Sequence, residues 1–239
     1  DVEVLRDGKR YNLHFEKGEN IGGLKKEPYN KKDTGTKIRW KPDFEVFTDI
    51  DIKPAYFLDI IKRQAIVNAG LKFIFKRQVG ENFEITEFNY ENGIVDHVKE
   101  LVGEDFLTQI QFWTGEKKVR DREDKPFYKT KINVAFAFSN KVSLSEYYHN
   151  SSWLEYGGAP EKAVKNAFVY QIDVYLKQNG KYNKNESKIT FADVEDCLVI
   201  VVSSFSNVTS YENQTKKSIT NKGIQDAMVE MFRHQLEVY

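Results

Sequence analysis

Cysteine is nearly absent from this 239-residue sequence, which contains a single thiol, at Cys197. One cysteine cannot form an intramolecular disulfide or supply a multi-cysteine zinc site. Because Cys197 comes directly before an apolar segment that begins at Leu198, we interpret it as a buried, inert thiol rather than a nucleophile. The sequence therefore excludes disulfide-stabilised scaffolds and cysteine-rich zinc sites.

Long hydrophobic runs and an excess of charge of one sign are absent as well. No apolar stretch approaches the ~20 residues that cross a bilayer. Lys plus Arg and Asp plus Glu number 36 each, so net charge indicates neither a nucleic-acid nor a membrane partner. The first residues, Asp1 to Val4, do not form a signal peptide and lack an initiator methionine. We therefore expect a cytoplasmic protein with no membrane partner, and we expect this chain to be an excised piece of a longer one.

Glycine and proline are scarce, at 14 and 5 residues, whereas apolar residues make up 40% of the chain and aromatic residues 14%. This composition is typical of a chain that buries a packed core, and it excludes disorder. Against about 150 residues per domain, the length fits one large or two modest domains.

Two patterns predict the secondary structure: helical spacing of apolar residues, and alternation of apolar and charged residues between turn signals. The continuous apolar run Leu198–Val202 predicts a strand in the centre of a sheet. Because strands and helices do not alternate strictly, the fold class is α+β. We place a domain boundary near Asn92. The predicted strands cover residues 2–5, 11–15, 37–40, 71–78, 83–90, 106–114, 127–139 and the segment that includes 198–202; the predicted helices cover 51–68, 94–101, 160–177 and 222–238; and residues 17–35 and 115–125 are a predicted loop and a predicted charged turn.

Few patterns carry chemistry. The four histidines, His14, His97, His149 and His234, are isolated in the sequence and give no metal-ligand spacing. Phosphate-binding motifs of the Walker and GxGxxG types, and the nucleophile elbow, are missing. We therefore interpret the histidines as surface residues or as core residues with hydrogen-bonded rings, and we assign no metal site to this chain.

One polar tripeptide stands between the last predicted strand and the last predicted helix. Gln214, Thr215 and Lys216 place an amide, a hydroxyl and an ammonium in consecutive positions. These groups can orient and neutralise a terminal phosphate, and the nearby helix start adds partial positive charge. The alternative is an ordinary exposed polar turn, since such tripeptides are common on protein surfaces.

Five motifs in a fixed order give the chain a family resemblance. It resembles the ATPase region of the B subunits of bacterial type IIA DNA topoisomerases, gyrase and topoisomerase IV, over nearly its whole length. Each motif is weak by itself, and the order and spacing make the set specific. The motifs are Thr34-Gly35-Thr36 with Pro42-Asp43, Asn68-Ala69-Gly70, Tyr90-Glu91-Asn92-Gly93-Ile94, Tyr156-Gly157-Gly158 and Gln214-Thr215-Lys216.

The resemblance implies a fold and a set of site residues. Residues 1–92 would be the C-terminal part of a GHKL (Bergerat) ATP-binding sandwich, and residues 93–239 a transducer domain with a ribosomal-protein-S5-like fold. Thr36 would lie near the adenine, and Gln214 and Lys216 would contact the γ-phosphate, with Lys216 as the catalytic cation. The complete subunit would use ATP and Mg²⁺. The family's magnesium-holding asparagine, catalytic glutamate, adenine-binding aspartate and glycine-rich ATP lid precede this segment, so this chain is expected to bind no cofactor tightly and to be inactive alone.

The resemblance also implies a mechanism and partners. Contact between Lys216 and the γ-phosphate would last until hydrolysis, and its loss would allow the two domains to rotate. In the family, this cycle of contact and release drives a homodimeric clamp of B subunits that closes on double-stranded DNA. The clamp works in complex with the A subunit. The basic residues Lys117, Lys118, Arg120 and Arg122 are weak candidates for DNA contacts, and we favour a solvated turn for them.

Several positions depart from the family's pattern. Ala159-Pro160 follows the double glycine, where a threonine and a histidine are usual, and Glu195-Asp196-Cys197 replaces an arginine-glutamate-glycine triplet. The family's loop prolines are replaced over residues 206–208. Three identities remain open, namely gyrase, topoisomerase IV and a divergent paralogue. Two alternative functions also remain, an S5-like module that binds nucleic acid without a nucleotide, and a different GHKL ATPase.

Overall fold

A computed structural model describes all of residues 1–239. The chain forms two compact units, Asp1–Lys53 and Pro54–Tyr239. The strands are β1 (Val2–Arg6), β2 (Lys9–Leu13), β3 (Phe15–Glu16), β4 (Glu19–Asn20), β5 (Lys25–Pro28), β6 (Gly35–Ile38), β7 (Phe73–Val79), β8 (Asn82–Phe88), β9 (Gln111–Val119), β10 (Tyr128–Phe138), β11 (Leu144–His149), β12 (Ser152–Trp153) and β13 (Leu198–Ser206). The helices are α1 (Pro54–Val67), α2 (Ile94–Val102), α3 (Ala159–Gln178), α4 (Phe191–Glu195) and α5 (Lys222–Val238).

The first unit is built on an antiparallel sheet in the order β5-β2-β1-β6. Asp7 and Gly8 connect β1 to β2 with φ angles of 52° and 67°. Two consecutive positive φ angles match the right-handed twist of a two-residue hairpin, so the predicted hairpin is confirmed.

The prediction of a loop over residues 17–35 is wrong in part. This segment contains β4 and β5, and β5 pairs with β2. Every residue of β5 is exposed, so the strand has no alternation of apolar residues that could reveal it. Its stability comes from the ladder with β2 and from contacts such as the ammonium of Lys26, which lies 5.8 Å from the ring centre of Tyr11.

The second unit is built on a five-stranded sheet in the order β12-β11-β13-β10-β9. The central strand β13 runs parallel to β11 and antiparallel to β10. Its residues from Leu198 to Val202 are all buried, so the predicted central strand is confirmed. Alternate side chains of β13 enter two different cores, because successive residues of a strand point to opposite faces.

Helices cover both faces of this sheet. Leu198, Ile200 and Val202 pack with residues of α3, α4 and α5 in one core. Val199 and Val201 pack in the other core with residues of α1 and α2. The predicted helices at 51–68, 94–101, 160–177 and 222–238 are confirmed, with boundaries shifted by a few residues at most.

The prediction of a charged turn over 115–125 is wrong for its first five residues. β9 continues to Val119 and pairs with β10 throughout. Gly115 permits this course, because a Cβ there would lie 3.1 Å from the sulfur of Met231 in α5. The predicted strand start at residue 106 is reduced to a single bridge between Phe106 and Ser139. β11 and α4 were not predicted.

The segment from α1 to β8 belongs to the second compact unit. Ala65 and Ile66 of α1 are buried against the sheet. The guanidinium of Arg63 in α1 lies 3.4 Å from the carboxylate of Glu146 in β11. The predicted domain boundary between residues 92 and 93 follows the domains of the family, whereas the two compact units are defined by packing. The domain boundary therefore stays a prediction.

Two glycines precede α3 and allow a close approach of the chain. Gly157 and Gly158 have φ angles of 60° and 85°, a region that disfavours side chains. A Cβ on Gly158 would collide with the backbone of Ile219 and with the hydroxyl of Ser218. The Ala159 amide donates a hydrogen bond to Ile219 O at 2.8 Å, so the segment before α5 is fixed against the start of α3.

A buried histidine connects the ends of β11 and β13 to the loop that follows β13. The ring of His149 is fully buried. Its Nδ1 lies 2.8 Å from Ser204 Oγ, and its Nε2 lies 2.9 Å from Thr209 Oγ1. Because Ser204 Oγ donates to Tyr148 O, the arrangement fits a neutral ring that donates from Nδ1 and accepts from Thr209. Burial lowers the pKa of His149 to about 4.

Replacing Gly158 with alanine is expected to destabilise the fold more than the same change at Gly180. Gly180 also has a positive φ, 59°, but a Cβ there would meet no atom within 4 Å. Gly180→Ala therefore costs only the backbone strain, about 1 kcal/mol, whereas Gly158→Ala adds a steric clash and is expected to cost about 3 kcal/mol or more. Urea-induced unfolding measures both. Equal losses in the two variants would contradict the close approach at Gly158.

Stability is expected to fall on acidification through the titration of His149. Its folded-state pKa of about 4 lies below the ordinary value of 6.5, so the unfolded chain binds the proton more tightly. The contribution is complete above about pH 6.5 and is lost progressively down to about pH 4, with a total of about 3 kcal/mol. Urea unfolding as a function of pH measures it, with His149→Gln as the reference. An identical pH dependence in that variant would refute the assignment.

Candidate phosphate-binding loop

The loop that contains Gln214, Thr215 and Lys216 joins β13 to α5. Its first arm (residues 209–212) pairs with its second arm (residues 218–220). The Glu212 amide donates to Ser218 O at 3.0 Å, and the Thr220 amide donates to Ser210 O at 2.8 Å. Tyr211 forms a bridge with Ile219 between these two bonds. The pairing leaves residues 213–217 as a tip at the end of two fixed arms, and residues 213–216 of this tip are exposed.

Asn213 organises this tip. Its side-chain oxygen accepts hydrogen bonds from the amide and the hydroxyl of Thr215, and its carbonyl accepts from the Lys216 amide at 3.2 Å. Lys216 adopts a φ of 58°, which is uncommon for a residue other than glycine. The predicted tripeptide therefore forms a structured turn, in which Gln214 and Lys216 are both exposed.

Two consecutive lysines at this tip have different environments. The ammonium of Lys217 forms an ion pair with Glu155 and lies 5.4 Å from the ring centre of Tyr156. The hydrogen bond to Glu155 raises the pKa of Lys217. The ammonium of Lys216 forms no ion pair and lies 5.7 Å from the ring centre of Tyr211. Of the two cations, Lys216 is the one available to an anionic ligand.

The donor set of the tip fits a phosphate group. An ammonium and a side-chain amide both donate hydrogen bonds, and charged donors make the stronger bonds to phosphate oxygens. The chain brings no group of three or more His, Cys, Asp or Glu side chains into an arrangement that could hold a metal ion. The tip therefore supplies a positive charge and hydrogen-bond donors, and the paired arms hold it in place.

Thr36, the third predicted site residue, lies in the first compact unit. It belongs to β6 and pairs with Val4 of β1. Its side chain is exposed at the edge of the sheet. A hydroxyl in this position is accessible to a ligand, and its contact with adenine stays a prediction.

The structure reveals supporting residues that the sequence did not indicate. Asn221 is 1% exposed and its side chain contacts the first arm of the loop, where its Oδ1 accepts from the Ser210 amide at 2.8 Å. Asp121 and Tyr128, 100 and 93 residues away along the chain, complete the same cluster. Burial, reinforced by the hydrogen bond to Asp121, raises the pKa of Tyr128, which remains a neutral hydroxyl. Only the tertiary contacts identify these residues.

A basic and aromatic surface lies on one face of the β9–β10 hairpin. Lys129 pairs with Lys118, and Lys131 pairs with Glu116, so these side chains share a face. The three lysines line an open groove together with Phe127 and Phe205.

Of the four predicted candidates for DNA contacts, two are neutralised by acidic neighbours. Lys117 forms an ion pair with Glu230, and Arg122 forms one with Asp124. Lys118 and Arg120 lie over the ring of Phe127. Lys129 and Lys131, which the sequence did not single out, extend the basic surface beyond the turn.

Comparison with known proteins gives a consistent set of relatives. The B subunit of DNA gyrase from Mycoplasma pneumoniae is 28% identical over 225 residues, which are 92% of this chain and 34% of that protein. The B subunit of DNA topoisomerase 4 from Rickettsia typhi is 24% identical over 229 residues, which are 93% of this chain and 33% of that protein. The chain therefore spans about a third of the length of the curated relatives it matches.

Solved structures share the fold. The 43K ATPase domain of Thermus thermophilus gyrase B superposes with a TM-score of 0.69 at 23% identity, covering 99% of this chain and 63% of that one. The B-subunit of the DNA gyrase from Myxococcus xanthus gives a TM-score of 0.75 at 16% identity, covering 99% and 66%. These likenesses confirm the expected α+β fold.

None of the helices is long and apolar enough to cross a membrane.

The family model for DNA gyrase B matches residues 93–239, more than half of the chain. This match covers the five-stranded sheet, the helices α2 to α5 and the whole of the Lys216 loop. On this evidence the chain belongs to the DNA gyrase B family.

Proposed function

We propose that this chain is part of the B subunit of an ATP-dependent type II DNA topoisomerase, and that it transmits the state of the nucleotide to the rest of the enzyme. The observation that carries the proposal is the Lys216 loop. It presents an exposed, unpaired ammonium on a tip whose arms are fixed to a packed sheet. Such a cation can stabilise the negative charge on a terminal phosphate and on the transition state of phosphoryl transfer.

The proposed domain arrangement follows the family. Residues 93–239 form an S5-like transducer domain, and residues 1–92 form the C-terminal part of the ATP-binding domain. The start of the family match at residue 93 supports this division. Thr36 contacts the adenine, and Gln214 and Lys216 contact the γ-phosphate of ATP. Mg²⁺ neutralises the phosphates when bound, and we assign its ligands to residues of the complete subunit outside this sequence.

The contact at the γ-phosphate works as a latch. Lys216 contacts the phosphate while it is attached to the nucleotide, and the contact is lost after hydrolysis and release. A ligand shifts a conformational equilibrium only by its different affinity for the two states. The γ-phosphate provides that difference, because the transducer domain can bind it in one arrangement only. The two arrangements correspond to the closed and the open clamp.

The partners of this cytoplasmic enzyme are double-stranded DNA, the A subunit and a second copy of the B subunit. The basic and aromatic surface of Lys118, Lys129 and Lys131 supports the DNA contact. Exposed lysines bind phosphates without regard to sequence, as a clamp on passing DNA requires. A module that binds nucleic acid but no nucleotide would use the same surface and would not depend on Lys216. The two functions therefore differ in what they require of Lys216.

Lys216→Ala is expected to reduce ATP turnover about 100-fold or more, the usual effect of losing a charge-stabilising donor. The assay uses the longest natural chain that contains residues 1–239. Lys217→Ala is the matched control, since it removes a neighbouring ammonium that is already paired with Glu155, and it should keep turnover within a few-fold. Near-normal hydrolysis by the Lys216 variant, with the fold intact by thermal melting, would exclude the proposed mechanism.

Replacing Lys118, Lys129 and Lys131 together with alanine is expected to weaken binding to duplex DNA and to flatten its salt dependence. Each phosphate contact adds about one unit to the slope of log K against log salt. Fluorescence anisotropy with a labelled duplex at several salt concentrations measures the slope. The control replaces Lys181, Lys184 and Lys188, which are exposed elsewhere. Equal slopes in both triple variants would show that the β9–β10 face does not bind DNA.

A further inference from the structure

The side chain of Asn221, next to the Lys216 loop, makes three hydrogen bonds. Its Oδ1 accepts a hydrogen bond from the Ser210 amide at 2.8 Å. Its Nδ2 donates to Asp121 Oδ2 at 3.0 Å and to the Tyr128 hydroxyl at 3.2 Å. The amide orientation follows from these partners, because a carboxylate can only accept and a backbone amide can only donate. Asn221 therefore joins the loop to the β9–β10 hairpin.

The bond to Ser210 fixes the first arm of the loop. Ser210 is also tied to the second arm, since its carbonyl accepts from the Thr220 amide. Asn221 follows Thr220 directly in the chain. Asn221 is therefore joined to the second arm by a peptide bond and to the first arm by a hydrogen bond. Its carbonyl also accepts from the Gln225 amide in the first turn of α5 at 3.1 Å. The loop, the helix start and the hairpin are thus joined at a single buried residue.

Asp121 completes the cluster from the side of the hairpin. Its Oδ1 accepts from the Tyr128 hydroxyl at 2.7 Å and from the Gly223 amide at 2.9 Å. Gly223 allows this approach, because a Cβ there would lie 2.7 Å from Arg120 O. The carboxylate is therefore held by three donors from two segments, β10 and the start of α5. Its position depends on the same close packing that fixes Asn221.

We infer that Asn221 and Asp121 are positioning residues for Lys216, which set the place of the loop tip without touching the nucleotide. The inference rests on the proposed function, since the loop position affects turnover only if Lys216 meets the γ-phosphate. The physical basis is that a charge displaced by even about 1 Å loses much of its effect on a transition state. A cluster with all its polar atoms paired has one arrangement of low free energy, so it fixes the arm in one place.

Asn221→Asp tests the inference in the longest natural chain that contains residues 1–239. The variant keeps the acceptor for Ser210, but it loses both donors and places a second carboxylate against Asp121. The expected result is a fall of kcat for ATP hydrolysis of about 10-fold or more, with KM for ATP changed less than about twofold. This split is expected because Lys216 is one of several proposed nucleotide contacts, so its displacement weakens ATP binding less than it weakens stabilisation of the transition state.

The exchange Asp121→Asn with Asn221→Asp is the rescue variant. It restores one carboxylate and one amide, with an amide at residue 121 to donate to residue 221, and an acceptor remains for Ser210. We expect kcat to return to within about threefold of the original. Failure of the exchange to restore kcat, in a protein that melts at the original temperature, would overturn the inference. Asp121→Asn alone is the milder variant if Asn221→Asp does not fold, and it should lower kcat with KM unchanged.

A double-mutant cycle separates positioning from general destabilisation. In a chain that already carries Lys216→Ala, Asn221→Asp should change the residual kcat less than twofold, because its route of action is gone. Multiplied losses in the double variant would show a structural role only and would refute the inference. Failure of the proposed function is distinguishable, since it would appear as full activity in Lys216→Ala alone.

Discussion

The position of one loop arm depends on two buried polar side chains that bind consecutive residues. His149 contacts the hydroxyl of Thr209, and Asn221 accepts from the amide of Ser210. A buried polar group without a partner costs about 1–3 kcal/mol, so each contact strongly disfavours any other place for the arm. The tip beyond the arm stays exposed. The structure therefore combines a fixed support with an accessible ammonium at Lys216.

The sheet of the second unit supplies this support because the character of its strands changes along their length. β13 is apolar from Leu198 to Val202, and serines occupy three of its last four positions, at residues 203, 204 and 206. The apolar part lies between two cores and fixes the strand, and the polar part receives His149 through Ser204. The same strand therefore contributes first to the stability of the domain and then to the anchoring of the Lys216 loop.

Sequence patterns predicted the parts of the fold whose signals are local. α1, α3 and α5 have apolar residues at helical spacing, and the Asp7-Gly8 turn has residues that accept positive φ. β5 escaped prediction because its four residues are all exposed, so only pairing with β2 makes it a strand. The charged end of β9 was assigned to a turn for the same reason, since its lysines are held by the ladder to β10 and not by burial.

For the site, the sequence by itself determined which residues are chemically suited to a phosphate, and the order of motifs determined the family. The tertiary structure decided which of two adjacent lysines is available, because Glu155 pairs with Lys217 and leaves Lys216 unpaired. It also decided which residues hold the loop, since Asp121 and Asn221 meet only when α5 packs against the β9–β10 hairpin. Hydrogen bonds and ion pairs depend on distances of a few ångströms, and folding sets those distances between residues that are far apart in the chain.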